Sequence, residues 1–462
     1  MEKAWNLQSK QEGRWGKTLL ILGLSLGYFM VLLDMTVVSV ALPAIRVDLG
    51  GGIAGLQWVV NAYTIVFACL LLSMGALADK IGAKRVYMGG LVVFLLASAI
   101  TASVSSLGNL IGLRAVLGIG GAALMPASLT LIAHAYPVPA ERARALGIWA
   151  AVTGIAMAAG PIVGGFLVDS FGWRSIFLLN VPIALVSVGL TYGLVKETNR
   201  KPQQSFDWAG QLTAVIAIAA LSFGLMEGET YGWKSPVIFA AWGLDLLSAV
   251  FFVRIQAKSK APLLPLGLFR NATVSAGMVA GMAINMGLSG ILFVLPLFFQ
   301  QTAGSSAHAA GLALLPMMIP LAFNPILTGR IVGKIGPRIP MTVGFALAAA
   351  GTMMQVWTAV NTNDALTFIA LLLIGFGVSY TLPSLITAVI SSVPKEQSGA
   401  VSGALNSSRQ LGATLGVSIL GSIVSGSESF TRGMHVSLAV TAVILIGGSL
   451  LSYWMIGRSK TR

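Results

Sequence analysis

Gly27-Tyr-Phe-Met-Val-Leu-Leu-Asp34-Met-Thr-Val-Val-Ser-Val-Ala-Leu-Pro43 sets a carboxylate inside an apolar run that starts after Lys17 and ends before Arg46. Such a run is long enough to cross a bilayer as a helix. At about 1.5 Å per residue, Asp34 stands roughly 25 Å from the Lys17 end and roughly 18 Å from the Arg46 end, too deep to snorkel to either surface. An acid in that position is kept neutral, paired or in contact with a water-filled cavity. It marks an ion, proton or substrate path, the plainer alternative being a hydrogen bond to a neighbouring helix.

The rest of the chain fits a membrane protein. Of 462 residues, 56% are hydrophobic and 10% charged, with only 15 acids; this is a polytopic membrane composition. The net charge of +14 does not call for nucleic acid, because the basic residues lie in short gaps between apolar runs and act as topology signals. Cys69 is the only cysteine, which excludes an intrachain disulfide and gives no support to a zinc or redox pair. The first apolar run is too long for a signal-peptide core and reads as a retained helix.

Spanning segments can be drawn at 18–44, 54–78, 86–105, 107–133, 144–168, 175–195, 208–227, 235–253, 272–300, 308–329, 340–359, 365–390, 398–425 and 434–456. With this division the basic residues collect on one face. Only Arg46, Arg174, Lys234 and Arg432 fall on the other, and Arg114 and Arg409 lie within spans. The positive-inside rule then places both termini of a multi-pass chain in the cytoplasm.

The chain also repeats itself. Gly75-Ala-Leu-Ala-Asp79-Lys80-Ile81-Gly82 matches Gly329-Arg-Ile-Val-Gly333-Lys334-Ile335-Gly336 at an equivalent gap. The expected fold is therefore all-α, with 14 transmembrane helices in two six-helix bundles, 18–195 and 272–456. A linker, 196–271, carries an inserted helix pair, and short cytoplasmic tails occupy 1–17 and 457–462.

Several stretches resemble motifs of the major facilitator superfamily. Gly75 to Arg85 looks like its cytoplasmic loop motif. Leu33 to Pro43 resembles the first-helix motif of its fourteen-helix drug:proton antiporter branch, which includes the methylenomycin A resistance proteins. Arg114-Ala-Val-Leu-Gly118-Ile-Gly120-Gly121 is similar to the fourth-helix arginine motif, and Gly154 to Gly165, with Gly160-Pro161, to the fifth-helix antiporter motif. Trp173 to Pro182, Asp207-Trp208-Ala-Gly210 and Asn406-Ser-Ser-Arg409-Gln410-Leu-Gly412 extend the likeness.

The resemblance implies a division of labour. Asp34 and Arg114 would couple transport to protons, the arginine lowering and burial raising the acid's proton affinity. Gly75, Asp79, Gly82 and Arg85 would form a gating latch, with Asp79 able to cap a helix start. Gly154, Gly160, Pro161, Gly164 and Gly165 would form a flexible seam between the halves. Trp58, Asn61, Tyr63, Asn285, Gln300, Asn324, Tyr380, Asn406, Arg409 and Gln410 are candidates for lining a central cavity, though each such residue is more often a packing or bridging group. Asp245 lies mid-way along an inserted helix, where a structural hydrogen bond is the favoured role.

The function expected is proton-coupled efflux of a small amphipathic drug or antibiotic by alternating access. The proton gradient is the driving force, no cofactor is involved, and the protein acts as a monomer in the lipid bilayer of the bacterial cell (inner) membrane. A lone deep acid permits cations, while Arg114 and Arg409 tolerate anionic or neutral compounds. A metabolite or lipid carrier on the same scaffold and a non-transporting sensor are the alternatives. No G-x-x-x-x-G-K-[ST], G-x-S-x-G or H-E-x-x-H pattern is present, and His134, His308 and His435 lie far apart, so neither ATP drive nor an enzyme is expected.

Overall fold

The computed structural model describes residues 2–200, 207–259, 262–361, 364–394 and 397–456. Its helices are α1 (Glu2–Leu49), α2 (Ile53–Ile81), α3 (Ala83–Thr101), α4 (Leu107–Ala135), α5 (Pro139–Phe171), α6 (Ser175–Leu178), α7 (Asn180–Leu194), α8 (Trp208–Met226) and α9 (Gly228–Tyr231). They continue with α10 (Pro236–Lys258), α11 (Ala272–Gln301), α12 (Ala307–Ala313), α13 (Leu315–Ile335), α14 (Arg338–Asn361), α15 (Asp364–Ser391), α16 (Ser398–Ser425) and α17 (Phe430–Met455). Helices dominate because a chain in hydrocarbon must satisfy its own backbone groups.

Thirteen helical spans among the described residues are long and apolar enough to cross a membrane, one of them the joined pair α6–α7. The fourteenth is α16, 28 residues long, whose Ser402, Asn406, Ser407, Ser408, Arg409 and Gln410 reduce its mean hydropathy. The 1–17 segment, expected as a tail, continues α1 back to Glu2. The 457–462 tail lies outside the described residues.

Helix pairing repeats between the halves. In the first, α1 packs on α5 and α7, α4 on α2 and α3, and α3 on α7; in the second, α11 packs on α16 and α17, α15 on α13 and α14, and α14 on α17. Each pair in one list has its counterpart in the other. The halves meet where α2 lies on α16, where α5 lies on α12 and α13, and along α1 against α11, a set that exchanges onto itself under a two-fold. The repeated basic loops share a backbone device as well. Gly82 and Gly336 close α2 and α13 at φ +108° and +78°, a region open to glycine at little cost. The inserted pair is peripheral: α8 leans on α2 and α16, while α10 packs on α8.

The cap of α3 differs from expectation. Its first free amides are taken by residues beyond α7 rather than by Asp79: Glu197 accepts from Lys84 N at 2.9 Å and Arg85 N at 3.2 Å, and Thr198 Oγ1 accepts from Ala83 N at 2.9 Å. A carboxylate at a helix N-terminus meets both the free N–H groups and the dipole, and Arg85 Nε stands 3.9 Å from the same carboxylate. Asp79 is half-buried at the end of α2. Replacing Glu197 by alanine is expected to cost about 0.5–2 kcal/mol, the range for a lost N-terminal cap, read as a lowered melting midpoint of the purified protein in detergent.

Candidate functional site

Asp34 on α1 and Arg114 on α4 form an ion pair through Arg114 Nη1 and Asp34 Oδ2, with side chains 0% and 1% exposed. Arg114 Nε donates to the Val59 carbonyl at 2.9 Å, and the guanidinium lies 4.5 Å from the centre of the Tyr63 ring. Asn180 Nδ2 reaches the other carboxylate oxygen at 3.4 Å. Glycines let α4 approach α2 this closely: a Cβ at Gly118 would stand 2.6 Å from the Tyr63 carbonyl oxygen, and one at Gly121 2.8 Å from Tyr63 Oη. Taking two charges out of water costs several kcal/mol each. The amide, carbonyl and ring contacts around this pair offset that cost.

Beside the pair lies a central cavity of about 310 Å³, walled by both halves. Arg114 and Tyr63 line it; Asp34 does not, and reaches it only through Arg114. On α1 the lining residues are Tyr28, Leu32, Met35, Thr36, Ser39 and Leu42, a helical stripe from which Asp34 points away. Tyr28 stacks on Trp149 of α5 at 4.9 Å. Across the cavity, Arg409 Nε donates to Asn285 Oδ1 at 3.4 Å and its Nη1 to Asn406 Oδ1 at 3.2 Å. The polar residues sit in a largely apolar wall, the usual composition of a small-molecule site.

Of the residues expected at the cavity, Tyr63, Asn285, Asn406, Arg409 and Gln410 line it. The others lie elsewhere. Trp58 Nε1 donates to Glu227 beside the inserted pair at 3.0 Å. Asn61, two residues from Tyr63, points to α16 and donates to Ser418 Oγ at 2.9 Å. Gln300 Nε2 donates to the Val40 carbonyl at 2.9 Å. Asn324 donates to Ser379 within the second half at 2.7 Å, and Tyr380 stacks on Phe376. Tyr28 and Trp149 were not among the expected residues, although the spacing of Tyr28, Leu32, Met35 and Ser39 carries the signal. Asp245 is half-exposed on α10, away from the cavity.

The α5 glycines occupy two seams. Side chains at Gly160 and Gly164 would meet α1 at Thr36, Val37 and Val40; at Gly154 and Gly165 they would meet Ala322 and Ala307 of the other half, and Gly311 lies against the Pro161 carbonyl. Gly75 has room, its nearest neighbour being Pro126. Away from the basic face, polar bonds fasten the halves. Gln57 Nε2 donates to the Val417 and Ser418 carbonyls at 2.7 Å. Asp169 accepts from Ala307 N at 3.1 Å and His308 N at 2.8 Å.

The family profile described as Major Facilitator Superfamily matches residues 24–417. The chain belongs to the major facilitator superfamily. It is 35% identical over 412 residues to the methylenomycin A resistance protein of Bacillus subtilis, covering 89% of this chain and 88% of that one. It is 34% identical over 422 residues to the multidrug resistance protein Stp of Mycobacterium tuberculosis, covering 91% and 78%. Among solved structures, a bacterial homolog of the human lysosomal transporter Spinster, inward-facing and unoccupied, superposes with a TM-score of 0.67 at 17% identity, over 95% of this chain and 96% of that one. This major facilitator protein is a multi-pass transporter, not an enzyme.

Removing one member of a buried ion pair leaves an uncompensated charge and costs about 3–5 kcal/mol. Arg114→Gln alone should therefore lower the melting midpoint sharply. Arg114→Gln combined with Asp34→Asn should recover much of the loss, measured by thermal unfolding of the detergent-purified variants.

Proposed function

We propose that the protein exports small amphipathic compounds, antibiotics among them, in exchange for protons by alternating access, with its basic face toward the cytoplasm. The observation that carries this reading is the Asp34–Arg114 pair, which is sealed from solvent yet has its arginine in the cavity wall. A proton on Asp34 breaks the pair and leaves Arg114 an uncompensated charge in the cavity wall, whereas cargo packed against that wall favours the neutralised arginine and with it the ionised, paired Asp34. Reformation of the pair expels the proton. Binding and protonation are thus linked through one side chain.

The seams supply the conformational half of the cycle. The glycine contacts of α5 allow close sliding of backbones, and Pro161 removes a helix hydrogen bond where a bend is useful. The bonds from Gln57, Gln300 and Asp169 hold the halves together on the face away from the basic loops. Opening that face requires exchanging them for water, at a net cost of about 0.5–1.5 kcal/mol for each amide bond and about 1.5–3 kcal/mol for each bond to the Asp169 carboxylate. The drive is the proton gradient: each charge crossing 100 mV releases about 2.3 kcal/mol. Relatives named for drug and antibiotic resistance support the cargo class.

In proteoliposomes, addition of drug should release protons from wild-type protein, while Asp34→Asn and the paired variant Asp34→Asn with Arg114→Gln bind drug without releasing them. Proton exchange at the wild-type rate by either folded variant overturns the coupling mechanism.

A further inference from the structure

The cavity contains two arginines in different electrostatic states. Arg114 is neutralised by Asp34. Arg409 faces the same space with only the neutral amide oxygens of Asn285 and Asn406 as partners, and no ion pair among the described residues includes it. Two further polar atoms of cavity-lining residues, Trp149 Nε1 and Gln410 Oε1, are buried with no partner. The hydroxyls of Thr36, Ser39 and Thr153 are already bonded to backbone carbonyls of their own helices. The cavity thus carries one uncompensated positive charge, an unused indole donor and an aromatic stack.

We infer that the cavity selects a small organic anion, a carboxylate on a planar apolar body, whose oxygens sit on Arg409 and whose body lies against Tyr28 and Trp149. This rests on the export reading, which makes the cavity a binding site. A guanidinium offers paired donors matched to a carboxylate, and such a bond gains strength where water is excluded. A cation of the same shape meets Arg409 with no free acid to offset it, because Asp34 is engaged by Arg114. The 310 Å³ volume is at the small end for ligand sites, about 300–1,000 Å³, and does not accommodate a phospholipid. On this reading the two arginines divide the work. Arg409 reads the charge of the cargo, and Arg114 reports its arrival to Asp34.

The test uses three probes of similar shape, 2-naphthoate, 2-naphthamide and (2-naphthylmethyl)trimethylammonium, with decanoate as an acyl-chain anion. Each is titrated calorimetrically into the full-length protein in nanodiscs with no proton gradient. Naphthoate should bind about ten-fold or more tightly than naphthamide, as expected for a charge-assisted bond, and the ammonium probe should be weaker than both. Arg409→Gln should bring the acid-to-amide ratio near one while leaving naphthamide binding little changed, and Arg409→Lys should retain a reduced preference for the acid. Trp149→Phe should weaken acid and amide alike. Equal or tighter binding of the ammonium probe, or an unchanged ratio in Arg409→Gln, overturns the proposal. Decanoate binding tighter than naphthoate overturns the planar body. If Arg409→Gln does not fold, an unchanged acid-to-amide ratio in Arg409→Lys overturns it equally. Because no gradient is present, failure here leaves proton exchange intact, and failure of proton coupling in the Asp34 variants leaves this preference intact.

Discussion

A fully buried carboxylate held by a fully buried guanidinium is the constraint around which the first half of the protein is built. Neither Asp34 nor Arg114 could remain charged in the hydrocarbon layer without the other, and the pair could not form without close packing of its helices. Gly118 and Gly121 bring α4 against α2, Tyr63 covers one face of the guanidinium, and Val59 and Asn180 supply the remaining bonds. The arrangement leaves Arg114, but not Asp34, in the cavity wall. Charge state and cavity occupancy therefore communicate through the arginine, and solvent has no direct contact with the acid in this conformation.

The contacts between the halves are of a different kind from those within them. Inside the first half, an ion pair fixes helix positions. Between the halves, amide side chains of Gln57 and Gln300 donate to backbone carbonyls, and glycines of α5 lie against α12 and α13. Hydrogen bonds to backbone groups, those of the Asp169 carboxylate included, and small-residue packing are individually modest, so the interface can exchange one set of contacts for another while each bundle stays intact. The inserted helix α8 adds to one seam only, since Gln211 donates to the Cys69 carbonyl of α2 at 2.8 Å and Ser422 of α16 donates to the Leu225 carbonyl at 2.5 Å.

Helix number, the repeat and the burial of Asp34 and Arg114 were legible in the sequence because they depend on one-dimensional quantities: the length of apolar runs, the placement of charges and the recurrence of Gly-x-x-x-x-Lys-Ile-Gly. Which face a polar residue presents was not. Asn61 and Tyr63 are neighbours in sequence, yet two residues along a helix is more than half a turn, so one meets α16 and the other meets Arg114. The α3 cap was hidden for another reason. Asp79 is adjacent to the helix it seemed placed to cap, but Glu197 follows α7, more than a hundred residues later in the chain, and such long-range placement has no local signature.

The pseudo-symmetry of the fold makes the asymmetry of its chemistry easier to see. By the repeat of helix pairings, α16 is the counterpart of α5, and both contribute to the cavity. From α5 come Trp149, Thr153 and Met157; from α16 come Asn406, Arg409 and Gln410. Polar groups in a spanning helix are tolerated where they face a cavity rather than lipid, so the helix with the weakest claim to span on hydropathy is the one with the most polar cavity face. The first half consumes its arginine in an internal pair, and the second presents its arginine to whatever enters. A two-fold scaffold carrying one neutralised and one free guanidinium is not symmetric toward a charged cargo, and that inequality arises from a few side chains rather than from the path of the backbone.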